Sequence, residues 1–193
     1  MPEKNAKKFL DAMHALQGGT MFSDITMGED KEAVRVIDDG LSRMAAYDGE
    51  IFRGLHFYDD GDGFDNFASL KAGDKLPVNG VTCWSAKGKR AKGFAHINDA
   101  DEDSVIITCP ENKSAVGTQH ILKFGNDESE VTAKSDTKWA VKRIKVETKY
   151  EYFKRTYEAI EDPKNRKNKL ATLEASGDVF KKRKLISLGV EEI

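Results

Sequence analysis

Cysteine is scarce in this chain, with only Cys83 and Cys109 among 193 residues. Two cysteines in no recognisable motif give neither a disulfide framework nor a zinc site, so a reducing compartment is the default expectation. The four histidines, at positions 14, 56, 96 and 120, have no metal-ligand spacing either. The sequence therefore predicts no metal site.

Long apolar runs and an excess of one charge are also missing. No stretch approaches the roughly 20 apolar residues of a membrane-spanning helix, and residues 1–8 lack the apolar core of a signal peptide. The 31 Lys and Arg residues nearly balance the 33 Asp and Glu residues, so bulk charge indicates no partner. We therefore expect the protein to act in the cytoplasm of the cell that makes it.

The length is sufficient for one domain with appendages and a buried core. Helical spacing of apolar residues predicts helices over residues 3–16 and 29–46, and a third helix from Tyr150 to Asp162-Pro163. Between them, residues 86–97 are a weaker helix candidate. The strand candidates are residues 51–52, 81–84, 105–108, 121–124, 130–133 and 139–146.

This order of helices and short strands predicts an α+β fold. We divide the chain into an N-terminal helical segment (1–48), a core (49–162) and a C-terminal tail (163–193). The tail is rich in Lys and Arg, including the run Lys181-Lys182-Arg183-Lys184.

Three short segments within the core carry candidate chemistry. The first is Phe52-Arg53-Gly54, where Arg supplies a permanently charged fork and Gly lets a ligand approach the backbone. The second runs from Thr82 to Ser85 and leads to Phe94-Ala95. The third contains Glu128 and Glu130. On a strand these two carboxylates would share a face, where they could stabilise a cationic transition state and orient an acceptor.

Taken in this order, the three segments resemble the mono-ADP-ribosyltransferases of the arginine–serine–glutamate class. That family has an aromatic-Arg-Gly segment, a Ser-Thr-Ser strand with a downstream Phe-Ala, and a Glu-x-Glu-Val segment. Even Ala72-Gly73-Asp74 lies where the family tends to have a Gly-Asp. The resemblance covers residues 51–146, about half of the chain. A small form without a secretion signal looks most like phage-encoded members that modify host proteins.

The resemblance implies a fold and a reaction. The fold would be two small β-sheets enclosing an NAD cleft, with the N-terminal helices packed alongside. The reaction would transfer ADP-ribose from NAD to a protein acceptor in the host cytoplasm, release nicotinamide and need no metal. Some phage relatives use NAD-capped RNA as the donor, so an RNA partner also fits. NAD would be bound without a Rossmann unit, because the sequence has no dinucleotide fingerprint.

The resemblance also implies roles for individual residues. Arg53 would contact the NAD phosphates and ribose, Gly54 would meet the nicotinamide end, and Phe94 would stack on the nicotinamide ring. Glu130 would be the catalytic carboxylate that stabilises the oxocarbenium character of the ribose. Glu128 would orient the acceptor, and a Glu at this position usually indicates an arginine acceptor. Residues 117–127 would form the loop that recognises it.

One segment departs from the family pattern. Cys83-Trp84-Ser85 stands where the family has Ser-Thr-Ser. The first Ser of that motif hydrogen-bonds the catalytic Glu and shapes the NAD cleft, and Cys83 is a poorer donor and acceptor. Ser85 is retained, so Cys83 and Ser85 are both expected at the NAD site, with Ser85 also assisting catalysis.

Two alternatives stay open on the sequence. The chain could be a catalytically degenerate member that binds NAD or a partner, such as a phage structural or interaction protein, which the Cys83-Trp84 departure favours. It could also be a basic-tailed nucleic-acid-binding module without an NAD site.

Overall fold

The structure is a computed structural model that describes residues 3–17, 22–58, 63–119, 121 and 129–193. None of the helices in these ranges is both long and apolar enough to span a bilayer. The helices are α1 (Glu3–Gln17), α2 (Phe22–Met27), α3 (Lys31–Leu41), α4 (Gly63–Ala68), α5 (Gly88–Phe94), α6 (Lys149–Glu158), α7 (Pro163–Ala175) and α8 (Gly177–Phe180). The strands are β1 (Ile51–Phe57), β2 (Thr82–Ser85), β3 (Asp103–Cys109), β4 (Val116–Gly117), β5 (Glu130–Ala133), β6 (Trp139–Thr148) and β7 (Lys184–Glu192).

The N-terminal helices form because their apolar residues recur on one face. Phe9, Met13 and Leu16 of α1 are buried, and they pack with Ile37 and Leu41 of α3. Asp30 caps α3 by accepting a hydrogen bond from the Ala33 amide at 2.9 Å. This helical group covers the end of the sheet that contains β2 and β4. The predicted helix 29–46 is therefore present, but it is shorter than expected.

The seven strands form one sheet in the order β4-β5-β2-β1-β3-β7-β6. Only one residue pair, Phe52 with Ser85, joins β1 to β2. The sheet thus consists of a three-strand half and a four-strand half, connected at one point. The predicted α+β class is confirmed, and the two expected sheets correspond to these halves.

Asp162-Pro163 was expected to end a helix, and the structure shows that it begins one. Asp162 is the N-cap of α7, where its carboxylate accepts from the Asn165 amide at 2.5 Å. Pro163 occupies the first turn, where the missing amide proton costs nothing because that amide has no partner within the helix. The preceding helix α6 starts from a capping box between Thr148 and Glu151.

The basic tail predicted to begin at residue 163 supplies a strand of the sheet. Strand β7 lies between β3, with which it is parallel, and β6, with which it is antiparallel. Leu185, Ile186, Leu188 and Val190 are buried in the core. Residues 184–192 therefore belong to the same folded unit as the core segment. Of the other predicted strands, residues 122–124 lie outside the described residues, and Ile121 is in a turn.

Burial of β7 predicts a large stability effect from its side chains. Ile186→Ala should lower the free energy of unfolding by about 2–5 kcal/mol, because it leaves a cavity in a fully buried site. The control Val179→Ala, at a side chain 43% exposed on α8, should change it by less than about 1 kcal/mol. Urea denaturation measures both. Equal, small effects would mean that the C-terminal segment is not part of the core.

Candidate functional site

Every predicted site residue that the structure describes lines one cavity of about 360 Å³. The cavity lies where the two halves of the sheet meet, and its lining also includes His56 and two residues that sequence reasoning missed, Leu16 and Gln17. The predicted residues that it brings together are Arg53, Gly54, Cys83, Ser85, Phe94 and Glu130.

Strand pairing explains why these distant segments meet. Ser85 is the register partner of Phe52 on one side and of Glu130 on the other. The ends of β1, β2 and β5 are therefore aligned at one place in the sheet. Arg53 follows Phe52 directly, and Arg53 and Glu130 line the same cavity.

Arg53 contributes a guanidinium with a nitrogen that the protein does not satisfy. The residue as a whole is half-buried, but its Nη1 has no solvent exposure and no hydrogen-bond partner among the described residues. Burial lowers the pKa of Arg53, while the nearby Cys83 acts in the opposite direction. A buried guanidinium nitrogen without a partner among the described residues is costly for folding, and an anionic ligand could satisfy it.

Several donors hold the carboxylate of Glu130. The Thr118 and Thr132 hydroxyls lie 3.1 and 3.2 Å from Oε1, where one of them donates to the carboxylate while the other donates to its neighbouring hydroxyl, and the Gln17 side-chain amide donates to the same oxygen. Both threonines are fully buried and lie 2.8 Å apart, oxygen to oxygen. These contacts fix the position of the Glu130 side chain in the cavity wall.

These donors clarify the departure at Cys83-Trp84. Thr132 is the register partner of Cys83 and lies on the same strand as Glu130, so β5 itself supplies a hydroxyl beside the carboxylate. Trp84 is buried in the core at 4.7 Å from Trp139, ring centre to ring centre, and its indole donates to Thr82 at 3.0 Å. The sequence could not identify Gln17 or Thr118 as partners, because they are 113 and 12 residues from Glu130.

Gly54 has a packing reason in addition to its predicted ligand role. A Cβ at this position would lie 1.8 Å from the Ala91 carbonyl oxygen and 2.7 Å from the Ala95 amide nitrogen. Helix α5 can therefore lie directly against β1 only because residue 54 has no side chain. Phe94 ends this helix at the cavity and is 50% exposed, so its ring is not a core residue.

The predicted same-face arrangement of Glu128 and Glu130 assumed a strand through both. Strand β5 begins at Glu130, and Ser129 before it has the left-handed backbone angle φ of 49°. Glu128 lies outside the described residues. Glu130 and Ser129 also line a second cavity of about 310 Å³, together with Tyr47, Lys87 and Gln119.

A cluster of His56, His96 and Glu102 lies beside the first cavity. Their candidate ligand atoms are all within 4.8 Å of one another. However, the two imidazole rings are stacked at 3.9 Å between centres with an interplanar angle of 2°. Lone pairs in two parallel planes cannot both point at one ion, and His96 Nδ1 is bonded to Glu102 at 2.8 Å. We therefore assign no metal to this cluster.

No family model and no curated protein matches the chain. Solved structures do. The ADP-ribosyltransferase Vis, a toxin of Vibrio splendidus, was solved with the M6 inhibitor and has a TM-score of 0.55 at 16% identity, over 100% of this chain and 74% of Vis. A complex of Vis with agmatine gives a TM-score of 0.50 at 17% identity, over 99% and 69%.

Two other ADP-ribosyltransferase structures match this chain with the same TM-score as Vis. Plx2a, an ADP-ribosyltransferase from Paenibacillus larvae, has a TM-score of 0.55 at 13% identity, over 100% of this chain and 87% of its own. Exoenzyme S from Pseudomonas aeruginosa, solved with human 14-3-3 protein beta and carba-NAD, has a TM-score of 0.55 at 12% identity, over 95% and 72%. The chain therefore has the ADP-ribosyltransferase fold, which confirms the predicted fold.

Nη1 of Arg53 is buried without a hydrogen-bond partner among the described residues, so we predict that Arg53 destabilises the ligand-free protein. Arg53→Met should raise the free energy of unfolding by about 1 kcal/mol, because it removes an unsatisfied buried donor and keeps an apolar stem. The control Arg155→Met should lower it by about 0.5–1 kcal/mol, because Arg155 makes two bonds to Glu147, at 2.5 and 2.9 Å. Denaturant titrations compare the two. An equal loss in both variants would show that Arg53 has a protein partner.

Proposed function

We propose that this protein transfers ADP-ribose from NAD to a protein acceptor and releases nicotinamide. One observation carries the proposal: Arg53, whose buried Nη1 has no hydrogen-bond partner among the described residues, and Glu130, whose carboxylate is hydrogen-bonded, line the same cavity. NAD offers groups that complement both, namely a pyrophosphate for the cation and a ribose for the carboxylate. The ADP-ribosyltransferase fold of the chain supports this assignment, and exoenzyme S has been solved with carba-NAD.

In this proposal the residues that line the cavity have separate roles in binding NAD and cleaving it. Arg53 binds the NAD phosphates, which supply the negative charge that its buried nitrogen lacks. Glu130 bonds a ribose hydroxyl and stabilises the positive charge that develops on the ribose as the nicotinamide bond breaks. Gln17, Thr118 and Thr132 hold Glu130 in place, so little reorganisation is needed during the reaction. Phe94 stacks on the nicotinamide ring at the edge of the cavity, and Ser85 lies in the lining between the two sheet halves.

The acceptor would approach Glu130 from the side of the second cavity. That cavity is lined by Gln119, which belongs to the predicted acceptor loop of residues 117–127, and by Ser129, which precedes Glu130. An arginine acceptor follows from Glu128 by family resemblance, since a guanidinium needs a carboxylate to orient it and to relieve its charge. Vis was solved with agmatine, a guanidinium compound, which supports this choice. The phage setting, the RNA partner and the cytoplasmic location stay predictions.

Glu130→Gln should reduce transfer by at least about 100-fold, because it removes the charge that stabilises the oxocarbenium ion. NAD binding should persist, because the amide oxygen of Gln can still accept from the same donors. The measurement is label transfer from radioactive NAD to lysate proteins, with NAD affinity by calorimetry. Glu158→Gln, at an exposed residue of α6, is the matched control and should transfer like the unchanged protein.

Three results would contradict or change the proposal. Undiminished transfer by Glu130→Gln would remove Glu130 from the reaction. If the unchanged protein binds NAD but transfers nothing, the catalytically degenerate alternative is correct. If it binds no NAD and is retained on nucleic acid in a salt-sensitive manner, the nucleic-acid alternative is correct.

Glu128→Gln separates acceptor activation from cleavage of NAD. Transfer of ADP-ribose to agmatine should be lost. The rate of NAD hydrolysis should stay within about 3-fold of that of the unchanged protein, because only the arginine-like acceptor needs this carboxylate. Nicotinamide release and labelled agmatine are measured in one reaction. An equal decrease in both would show that Glu128 acts on NAD.

A further inference from the structure

Side chains from three different elements hold the C-terminal end of α5. The last carbonyls of a helix have no partner within the helix, and in an exposed helix water satisfies them. Here the protein supplies the donors. The bonds are His56 Nδ1 of β1 to the Phe94 carbonyl at 2.9 Å, Ser104 Oγ of β3 to that of Ala95 at 2.6 Å, and Lys149 Nζ of α6 to that of His96 at 3.0 Å.

Two of these donors hold the turn that follows Phe94. Ser104 and Lys149 are both fully buried. Lys149 also donates to the Asp99 carbonyl at 2.8 Å, and burial lowers its pKa while Asp99 and Asp103 act in the opposite direction. A buried ammonium bonded to two carbonyls is well satisfied, and a cation at this end of a helix is favourable. The turn is therefore fixed independently of any ligand.

His56 fixes Phe94 itself, and it also lines the cavity. A carbonyl oxygen only accepts hydrogen bonds, so Nδ1 of His56 must carry the proton in the bond to Phe94. The ring of His56 is stacked on that of His96, which is bonded in turn to the buried carboxylate of Glu102. The imidazole is therefore held on its face and at its Nδ1 edge.

The ring of Phe94 has no comparable support of its own. It is 50% exposed, so its position depends on the backbone at residue 94. A ring that is fixed before NAD arrives loses less conformational entropy on stacking, which increases affinity. We propose that His56 is a positioning residue for NAD binding, which acts by holding the end of α5 and with it Phe94. This inference rests on the proposed function.

The test compares three substitutions of His56. His56→Leu removes the donor and should raise KM for NAD about 10-fold in NAD hydrolysis, with a change in kcat below about 3-fold. In His56→Asn the side-chain amide takes the place of Nδ1, so most of the affinity should return. In His56→Gln the amide lies nearer the Nε2 position, so it should behave like the Leu variant. Equal KM values in all three variants would overturn the proposal.

A double-mutant cycle with Phe94→Ala tests whether His56 acts through Phe94. If it does, His56→Leu adds less than about 2-fold to the KM of a chain that already carries Phe94→Ala. Independent, multiplying effects would show that His56 contacts NAD directly, and the positioning role would be wrong. Because His56→Leu alters a packed ring, its thermal unfolding is measured first. If that variant does not fold, the Asn and Gln pair carries the comparison.

A readout without NAD separates failure of this inference from failure of the proposed function. With 4-fluorophenylalanine at position 94, the ¹⁹F resonance of the ligand-free protein should be narrow for the unchanged chain and for His56→Asn. It should be broadened or split for His56→Leu and His56→Gln, because the helix end moves. Identical line shapes would overturn the positioning role. If the line shapes differ as expected but the protein binds no NAD, His56 still holds Phe94 in place and only the proposed function is wrong.

Discussion

The contact between Gly54 and the Ala91 carbonyl oxygen sets the position of α5, and α5 forms one wall of the cavity. No other residue type fits, because a Cβ at position 54 would overlap that oxygen. From this contact follow the proximity of His56 to the Phe94 carbonyl and the placement of Phe94 at the cavity. Gly54, which the sequence suggested as a site of ligand approach, is thus also the residue against which α5 packs.

The cavity lining also contains two charged side chains, Arg53 and Glu130. Arg53 keeps a buried nitrogen without a partner in the described part of the chain, and Glu130 is bonded by residues from α1 and from the segment around β4 and β5. Active sites commonly retain such groups at a cost in stability, because the ligand supplies the missing interaction. The N-terminal helix α1 therefore contributes to the site as well as to the core.

Local patterns and the family resemblance selected six described residues that the fold brings to one cavity, and the roles of these residues stay predictions. Local patterns also predicted the strand Glu130–Ala133. They failed where the decisive interaction is distant in sequence. Nothing near Gln17 shows that it meets Glu130, and the many charged residues of 163–193 drew attention away from the nearly continuous run of buried residues in β7. Asp162-Pro163 is typical of both the end and the start of a helix. The sequence alone does not distinguish the two positions, whereas the structure shows Asp162 as the N-cap of α7.

The place of β7 in the sheet has a consequence for biosynthesis. It is the last of the described strands to leave the ribosome, yet it lies between β3 and β6. Until it emerges, β6 lacks its partner and the buried side chains of β3 remain open to water and to chaperones. The three-strand half could pair earlier during translation. A chain assembled in this order completes its buried core only after residues 184–192 have been made.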